Sequence, residues 1–276
     1  MKNTASDTNS SHDAISTWRA NYLAEVAQLD AARAYKRLTY DLLSLSPGQR
    51  VLDVGCGIGE DALALADLVG DQGLVCGVDH SEAMVEAAQR SVVRQGAAVE
   101  FRCADAHELP FADGSFHACR VDRVLQHVTD PEQVLDEMLR VCAPGGRIVV
   151  SEPDWSTLVV ADSDQSAISV LREGCRRRAN HPSMGSRALP LLVARGVVAT
   201  AVLPATAIMV TVAEAEFVFQ LKDGLQRAVK DGLLNEAAAV QLTERLAAAT
   251  CKQAFFAALT GFVVAGTKPT EHDLGP

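Results

Sequence analysis

Gly55, Gly57 and Gly59 interrupt the run Arg50-Val-Leu-Asp-Val-Gly-Cys-Gly-Ile-Gly-Glu-Asp-Ala-Leu-Ala-Leu-Ala66 at every second position, and Asp79 stands twenty positions beyond the last of them. Glycines spaced this way let the main chain turn tightly and let a ligand lie against the backbone, while a helix that starts just after them aims free N–H groups at that ligand. The pattern reads as a nucleotide-binding turn. A carboxylate at the end of the next strand accepts ribose hydroxyls through charge-assisted hydrogen bonds, each contributing about 1.5–3 kcal/mol. Asp79 fits that task, with capping of the helix from Ser81 as its structural alternative. Glu60 stands where a G-x-G-x-x-G fingerprint needs its third glycine, which disfavours a nicotinamide oxidoreductase.

The apolar pattern supplies the elements that must hold these groups. A buried strand enters the glycine turn and a helix leaves it. Leu74–Val78, Val99–Cys103, Ala118–Val121 and Arg147–Ser151 read as further strands, with a helix from Pro131 to Cys142 and Pro144-Gly145-Gly146 as the turn into the last of them. Helical periodicity over residues 14–45 (Ile15, Trp18, Tyr22, Val26, Leu29, Leu38, Leu42, Leu43) predicts an N-terminal cover that ends at Ser46-Pro47-Gly48. Beyond Ser151 the spacing predicts helices near 164–179 and 188–194, a strand over 197–209, two helices within 213–249 and a final strand over 257–268.

Several of these stretches match one family. Asp53-Val-Gly-Cys-Gly-Ile-Gly59 resembles the first motif of class I S-adenosylmethionine (SAM) dependent methyltransferases, and Gly77-Val-Asp-His-Ser-Glu-Ala-Met-Val-Glu-Ala-Ala88 resembles the second. Ala104-Asp105-Ala106, Asp113-Gly-Ser-Phe-His117, Leu125 to Pro131 and Pro144-Gly-Gly146 follow in the order the family uses. The match is close over residues 50–152 and in outline elsewhere, and it is similar to small-molecule enzymes of natural-product and quinone tailoring. The resemblance implies a doubly wound α/β fold with a seven-stranded, mostly parallel, Rossmann-like sheet and helical lid insertions at about 153–187 and 210–252. The domain reading is a mobile tail at 1–13, a cover at 14–46, a SAM-binding core at 47–268 and a tail at 269–276.

The same resemblance assigns SAM to Asp53, Gly55, Cys56, Gly57, Gly59, Asp79, His80, Met84, Asp105, Ala106 and Val121, with S-adenosyl-L-homocysteine (SAH) as product. Met84 lies along the adenine face or simply fills core; Asp105 takes the exocyclic amine beside the Ala106 N–H, or merely starts a loop. His127 is the candidate catalytic base, its alternative being a histidine bonded to backbone in the turn before Asp130-Pro131. Trp155, Asp154, His181 and Arg187 are candidates for the acceptor side, and Glu152 and Asp154 orient an acceptor or cap the next helix. Arg176-Arg177-Arg178 either faces a helix dipole and solvent or holds an anionic substrate group.

Composition narrows the partners. With 25 Lys and Arg against 35 Asp and Glu, the net charge of −10 disfavours nucleic acid, and the N/D-P-P-Y/F/W motif of base methyltransferases is replaced by Arg120-Val-Asp-Arg-Val124. No apolar run reaches membrane-spanning length, no secretory h-region opens the chain, and the seven cysteines show neither C-x-x-C nor metal spacing. The expectation is a cytoplasmic, metal-free monomer or homodimer that methylates oxygen or nitrogen, and less readily carbon, of a small organic molecule. Two alternatives share the motifs: a cyclase or isomerase that uses SAM without methyl transfer, and a non-catalytic SAM-fold binding module.

Overall fold

The computed structural model describes residues 20–22, 24–26, 29–92 and 98–270. The tail expected at 1–13, Ile15 and Trp18 of the cover and most of the C-terminal tail lie outside the described residues. Eight strands form one sheet: β1 (Arg50–Val54), β2 (Leu74–Asp79), β3 (Val99–Cys103), β4 (Phe116–Asp122), β5 (Cys142–Pro153), β6 (Val159–Val160), β7 (Val198–Met209) and β8 (Ala257–Thr267). The order runs β3-β2-β1-β4-β5-β8, and β7 pairs with the far side of β8. All neighbours are parallel except those of β8, which runs antiparallel to β5, β6 and β7. The expected seven strands are present, and the two-residue β6 pairs with Ala257 and Ala258 of β8 where β5 has ended.

Alternation along β1 and β4 divides the core between two faces. Leu52, Val54, Cys119 and Val121 point toward α4 (Pro131–Val141) and α6 (Met184–Ala194). Val51 and Ala118 point the other way, toward α1 (Asp30–Leu43), α2 (Glu60–Val69) and α3 (Glu82–Val92). The same period carries Asp53, Arg120 and Asp122 onto the α1–α2 face, and Asp53 and Arg120 are register partners.

Beyond the sheet, α5 (Gln165–Arg176), α7 (Val212–Phe219), α8 (Leu221–Lys230) and α9 (Glu236–Cys251) share a second apolar core with Trp155, Leu158 and the Met209 and Ala257 ends of β7 and β8. Residues from both sides of β7 thus form one helical layer. The two helices expected within 213–249 are three, because Gln220 takes a left-handed φ of 52° that ends α7 and starts α8 at once. The helix expected from 188 starts at Met184, and β5 starts at Cys142 rather than Arg147. The Pro144-Gly145-Gly146 segment is held flat because Gly145 N–H donates to Lys268 O and Lys268 N–H to Gly146 O, both at 2.9 Å.

The α5 and α8 backbones touch at a glycine pair: a Cβ on Gly174 would lie 1.9 Å from Gly224 O. No side-chain rotation relieves a clash with a carbonyl. Gly174→Ala should therefore lower unfolding free energy by at least the about 1–3 kcal/mol typical of overpacking, read from urea denaturation.

Candidate functional site

The site is built where β1 stops. Gly55 and Cys56 both donate their N–H to Val78 O, at 2.7 and 2.9 Å, and Gly55, Gly57 and Gly59 adopt φ of 73°, 53° and 83°. A Cβ on Gly55 would lie 2.2 Å from Val124 Cγ2, and one on Gly59 2.5 Å from Phe101 Cζ. Conformation and contact both demand glycine here. Across the turn, Asp79 Oδ2 accepts from Gly57 N–H at 3.0 Å and Oδ1 from Ser81 N–H at 2.9 Å. Burial acts to raise the Asp79 carboxyl, but His80 and these two N–H groups prevail and hold it below the usual carboxylate range. With one donor on it, Oδ2 retains a lone pair for a further donor.

The other expected cofactor residues surround this turn unevenly. Cys56 and Met84 are buried, and the exposed His80 places Nδ1 3.3 Å from Asp79 Oδ1. Asp105 is exposed; its Oδ1 accepts from the His107 N–H at 2.9 Å and from His107 Nδ1 at 2.6 Å, which lowers its pKa. Ala106 is half-buried between them. His107 Nε2 in turn accepts from the Asp130 N–H at 3.2 Å, so His107 ties the loop after β3 to the turn before α4. The Val121 side chain is fully buried toward α4, which leaves only its main chain for a ligand.

Asp53 is differently employed. Its Oδ1 accepts from Arg120 Nη1 at 2.9 Å, and Arg120, 1% exposed, also reaches Asp61 Oδ2 at 3.3 Å, Asp122 Oδ2 at 3.1 Å and Thr39 Oγ1 at 2.9 Å. Lys36 of α1 pairs with Asp61 at 2.9 Å, Tyr40 donates to Asp61, and Tyr35 donates to Asp122 Oδ2 at 3.2 Å. Burial pushes the Asp53 carboxyl up to about 6 against the pull of Arg120. It acts the same way on Asp61, but Arg120 and Lys36 win there and hold Asp61 well below its ordinary range. Among the described residues, Asp53 Oδ2 and Asp122 Oδ1 are buried and accept no hydrogen bond.

The loop after β4 is gripped from two sides. Arg123 N–H donates to Ser151 O, and Glu152 accepts the N–H groups of Val124, Leu125 and Gln126 at 2.8, 2.6 and 3.4 Å. Glu152 is therefore a loop anchor, not an acceptor-facing acid. Asp154 takes Ser156 N–H on Oδ1 and Ser186 N–H on Oδ2, both at 3.0 Å, so it joins the 3-10 turn Trp155–Thr157 to α6. Trp155, 7% exposed, donates Nε1–H to Gln126 Oε1 at 2.9 Å. His181 N–H donates to Gln126 O at 3.0 Å, and its ring Nε2 lies 3.4 Å from Thr129 O. His127 is exposed; its N–H donates to Val124 O, and its carbonyl accepts from Asn180 Nδ2 at 2.7 Å. Arg187, also exposed, faces Glu132 at 3.9 Å.

Sequence reasoning missed the roles of Arg120, His107 and Gln126. The signal for Arg120 was a cation at an inward strand position with acids at matching parity in β1 and β4. Among the described residues, no group of three or more His, Cys, Asp or Glu could hold a metal, and no helix is long and apolar enough to cross a membrane.

A family model described as "Methyltransferase domain" matches residues 45–196. An uncharacterized 37.1 kDa protein in transposon Tn4556 of Streptomyces fradiae is 39% identical over 245 residues, 88% of this chain and 70% of that protein. A demethylmenaquinone methyltransferase of Bacillus cereus is 37% identical over 128 residues, 46% of this chain and 54% of that enzyme, so the match spans about half of the enzyme's length. The solved structure of a geranyl diphosphate methyltransferase in complex with SAM shares the fold, with a TM-score of 0.56, 18% identity and coverage of 90% of this chain and 89% of its own.

Burial pushes Glu152 up to about 8, with Asp122 adding to the rise and the loop N–H groups opposing it. A carboxyl raised in the folded state contributes stability that is complete below the ordinary glutamate range and is lost as pH rises through about 8. Relative to Glu152→Gln, the parent chain should lose at least ~1 kcal/mol between about pH 5 and about pH 9 in urea denaturation. Glu152→Ala should cost about 1–3 kcal/mol for each loop N–H left buried and unpaired.

Proposed function

Because the chain belongs to the SAM-dependent class I methyltransferases, we propose that it transfers a methyl group to an oxygen or nitrogen of a small organic molecule, carbon being the less favoured nucleophile. The observation that carries this reading is the pairing of Asp79 with three left-handed glycines, one of which, Gly57, donates to it. A turn of three glycines without side chains, facing a carboxylate held below its usual range, suits a ribose and its attached chain. Asp79 accepts the ribose hydroxyls, Met84 lies under the adenine, and Asp105 with the Ala106 N–H reads its edge. Asp53 Oδ2, buried with an unfilled lone pair, suits a cationic group of the cofactor beyond the turn.

SAM supplies a methyl carbon whose bonding pair returns to sulfur as a neutral thioether while the acceptor's lone pair forms the new bond. What remains for the protein is alignment, exclusion of water and removal of one proton. Alignment accounts for the larger share: effective molarities of about 10⁵–10⁸ M correspond to roughly 7–11 kcal/mol, against about 10²–10⁴-fold for a general base. The cover helices and the layer of α5, α7, α8 and α9 serve as the lid over this space. His127, on the exposed rim of the β4 loop, takes the acceptor proton to solvent, and Trp155 forms an apolar wall.

Asp79→Ala should weaken SAM binding about tenfold or more in calorimetry, as expected for loss of charge-assisted bonds, and unchanged affinity would remove the ribose assignment. Release of SAH from SAM in a screen of phenols, quinols, amines and carboxylates should identify the acceptor. Acceptor turnover without SAH would point instead to a cyclase or isomerase. His127→Ala should lower kcat with SAM affinity unchanged, and an unaltered rate would leave that histidine a purely structural part of its turn.

A further inference from the structure

The loop that leaves β3 is fastened to α4 rather than to its own strand. Glu137 Oε2 accepts the Leu109 N–H at 2.7 Å, and Arg140 donates to Leu109 O at 2.9 Å and to Phe111 O at 2.8 Å. Nearer to Asp105 the fastening is His107. Its carbonyl accepts from Gln133 Nε2 at 3.0 Å, its ring Nε2 accepts the Asp130 N–H at 3.2 Å, and Thr129 Oγ1 lies 3.2 Å from the same nitrogen.

These contacts set the tautomer of the ring. A main-chain N–H can only donate, so Nε2 offers its lone pair to Asp130 and the ring proton sits on Nδ1. Nδ1 stands 2.6 Å from Asp105 Oδ1, and that same oxygen accepts the His107 main-chain N–H at 2.9 Å. One residue thus occupies one carboxylate oxygen twice. The His107 side chain is 19% exposed and that of Asp105 69%, and among the described residues no donor reaches Asp105 Oδ2. The carboxylate is therefore held from behind and open in front.

We infer that His107 is the positioning residue for base selection: its Nδ1–H locks Asp105 Oδ1, so that Oδ2 accepts a 6-amino purine and rejects a 6-oxo one. The inference rests on the reading of Asp105 as the adenine-edge acceptor and deepens it. A carboxylate free to turn on an exposed loop can follow either donor of a purine edge, the amine of adenine or the N1–H of a 6-oxo base. Two bonds on Oδ1 remove that freedom before the ligand arrives. A 6-oxo purine then sets an acceptor against an acceptor, which a site built for a donor penalises strongly. The Ala106 N–H opposes N1–H as well, so losing the lock lowers the discrimination without erasing it.

The two halves of the imidazole can be tested separately on the full chain. The amide nitrogen of asparagine falls near Nδ1 and keeps the donor to Asp105, whereas the amide of glutamine reaches the place of Nε2 and keeps only the contact to the Asp130 turn. Calorimetry compares SAH with S-inosyl-L-homocysteine, its 6-oxo counterpart, and the parent should favour SAH at least about tenfold. His107→Gln should lower that preference at least about fivefold, the scale of one net hydrogen bond, and His107→Asn should keep it within about twofold. Both should melt with the parent; should either melt early, the other decides alone. Full retention of the preference in His107→Gln, an equal loss in His107→Asn, or weakening of both ligands at a constant ratio overturns the inference. A parent that does not distinguish the two ligands, or a preference that survives Asp105→Ala, overturns the Asp105 reading beneath it instead. Failure of SAH itself to bind overturns the methyltransferase reading.

Discussion

One buried cation fixes the geometry of the site. Arg120 lies on an inward position of β4, and its charge is met by Asp53 from β1, Asp61 from α2 and Asp122 from β4, with Thr39 from α1 completing the shell. Removing a guanidinium from water costs several kcal/mol, so the arrangement persists only because carboxylates surround it at close to hydrogen-bond distance. Its contribution to net stability is small beside its effect on position. The register of β1 against β4, the start of α2 and the seating of α1 are all tied to the same ion, and Asp53 lies two residues before Gly55. The glycine turn is thus mounted on a charge cluster that tolerates little displacement.

The second constraint is the joint between the sheet and the helical layer. Within four residues after Ser151 the chain makes Glu152, Asp154 and Trp155 into connectors: Glu152 to the β4 loop, Asp154 to α6, and Trp155 to Gln126 of that same loop. A shift of the helical layer therefore moves Trp155 and Gln126 together. The β4 loop, with His127 upon it, is held from the sheet by Glu152 and from the layer by Trp155, Asn180 and His181. Substrate-dependent motion of the layer would be transmitted to this loop without passing through the cofactor half.

The sheet and the glycine turn were legible in the sequence because their requirements are local. Gly55, Gly57 and Gly59 adopt left-handed conformations that other residues rarely take, and Asp79 follows at a spacing set by one helix and one strand. The Arg120 cluster was not legible as a unit, since its members lie at 36, 39, 53, 61, 120 and 122 and come together only when the period-two pattern of two strands meets the face of two helices. Asp154 and Glu152 stayed ambiguous for a similar reason: a carboxylate at the end of a strand looks the same in sequence whether it faces a substrate or a backbone N–H. The count of helices after β7 failed on Gln220, whose left-handed φ is unusual for a residue with no glycine-like freedom.

Backbone strain at the rim separates what the turn needs from what a side chain is retained to do. Arg123 sits at φ 58°, where glycine is free and an L side chain pays roughly 1–2 kcal/mol. The bend itself is over-determined by Ser151 O, which takes the Arg123 N–H, and by Glu152, which takes the next two. Glycine would satisfy the same backbone bonds without strain. A strained arginine therefore serves through its guanidinium, whose Nε lies 3.8 Å from Asp122 Oδ2 at the edge of the Arg120 cluster.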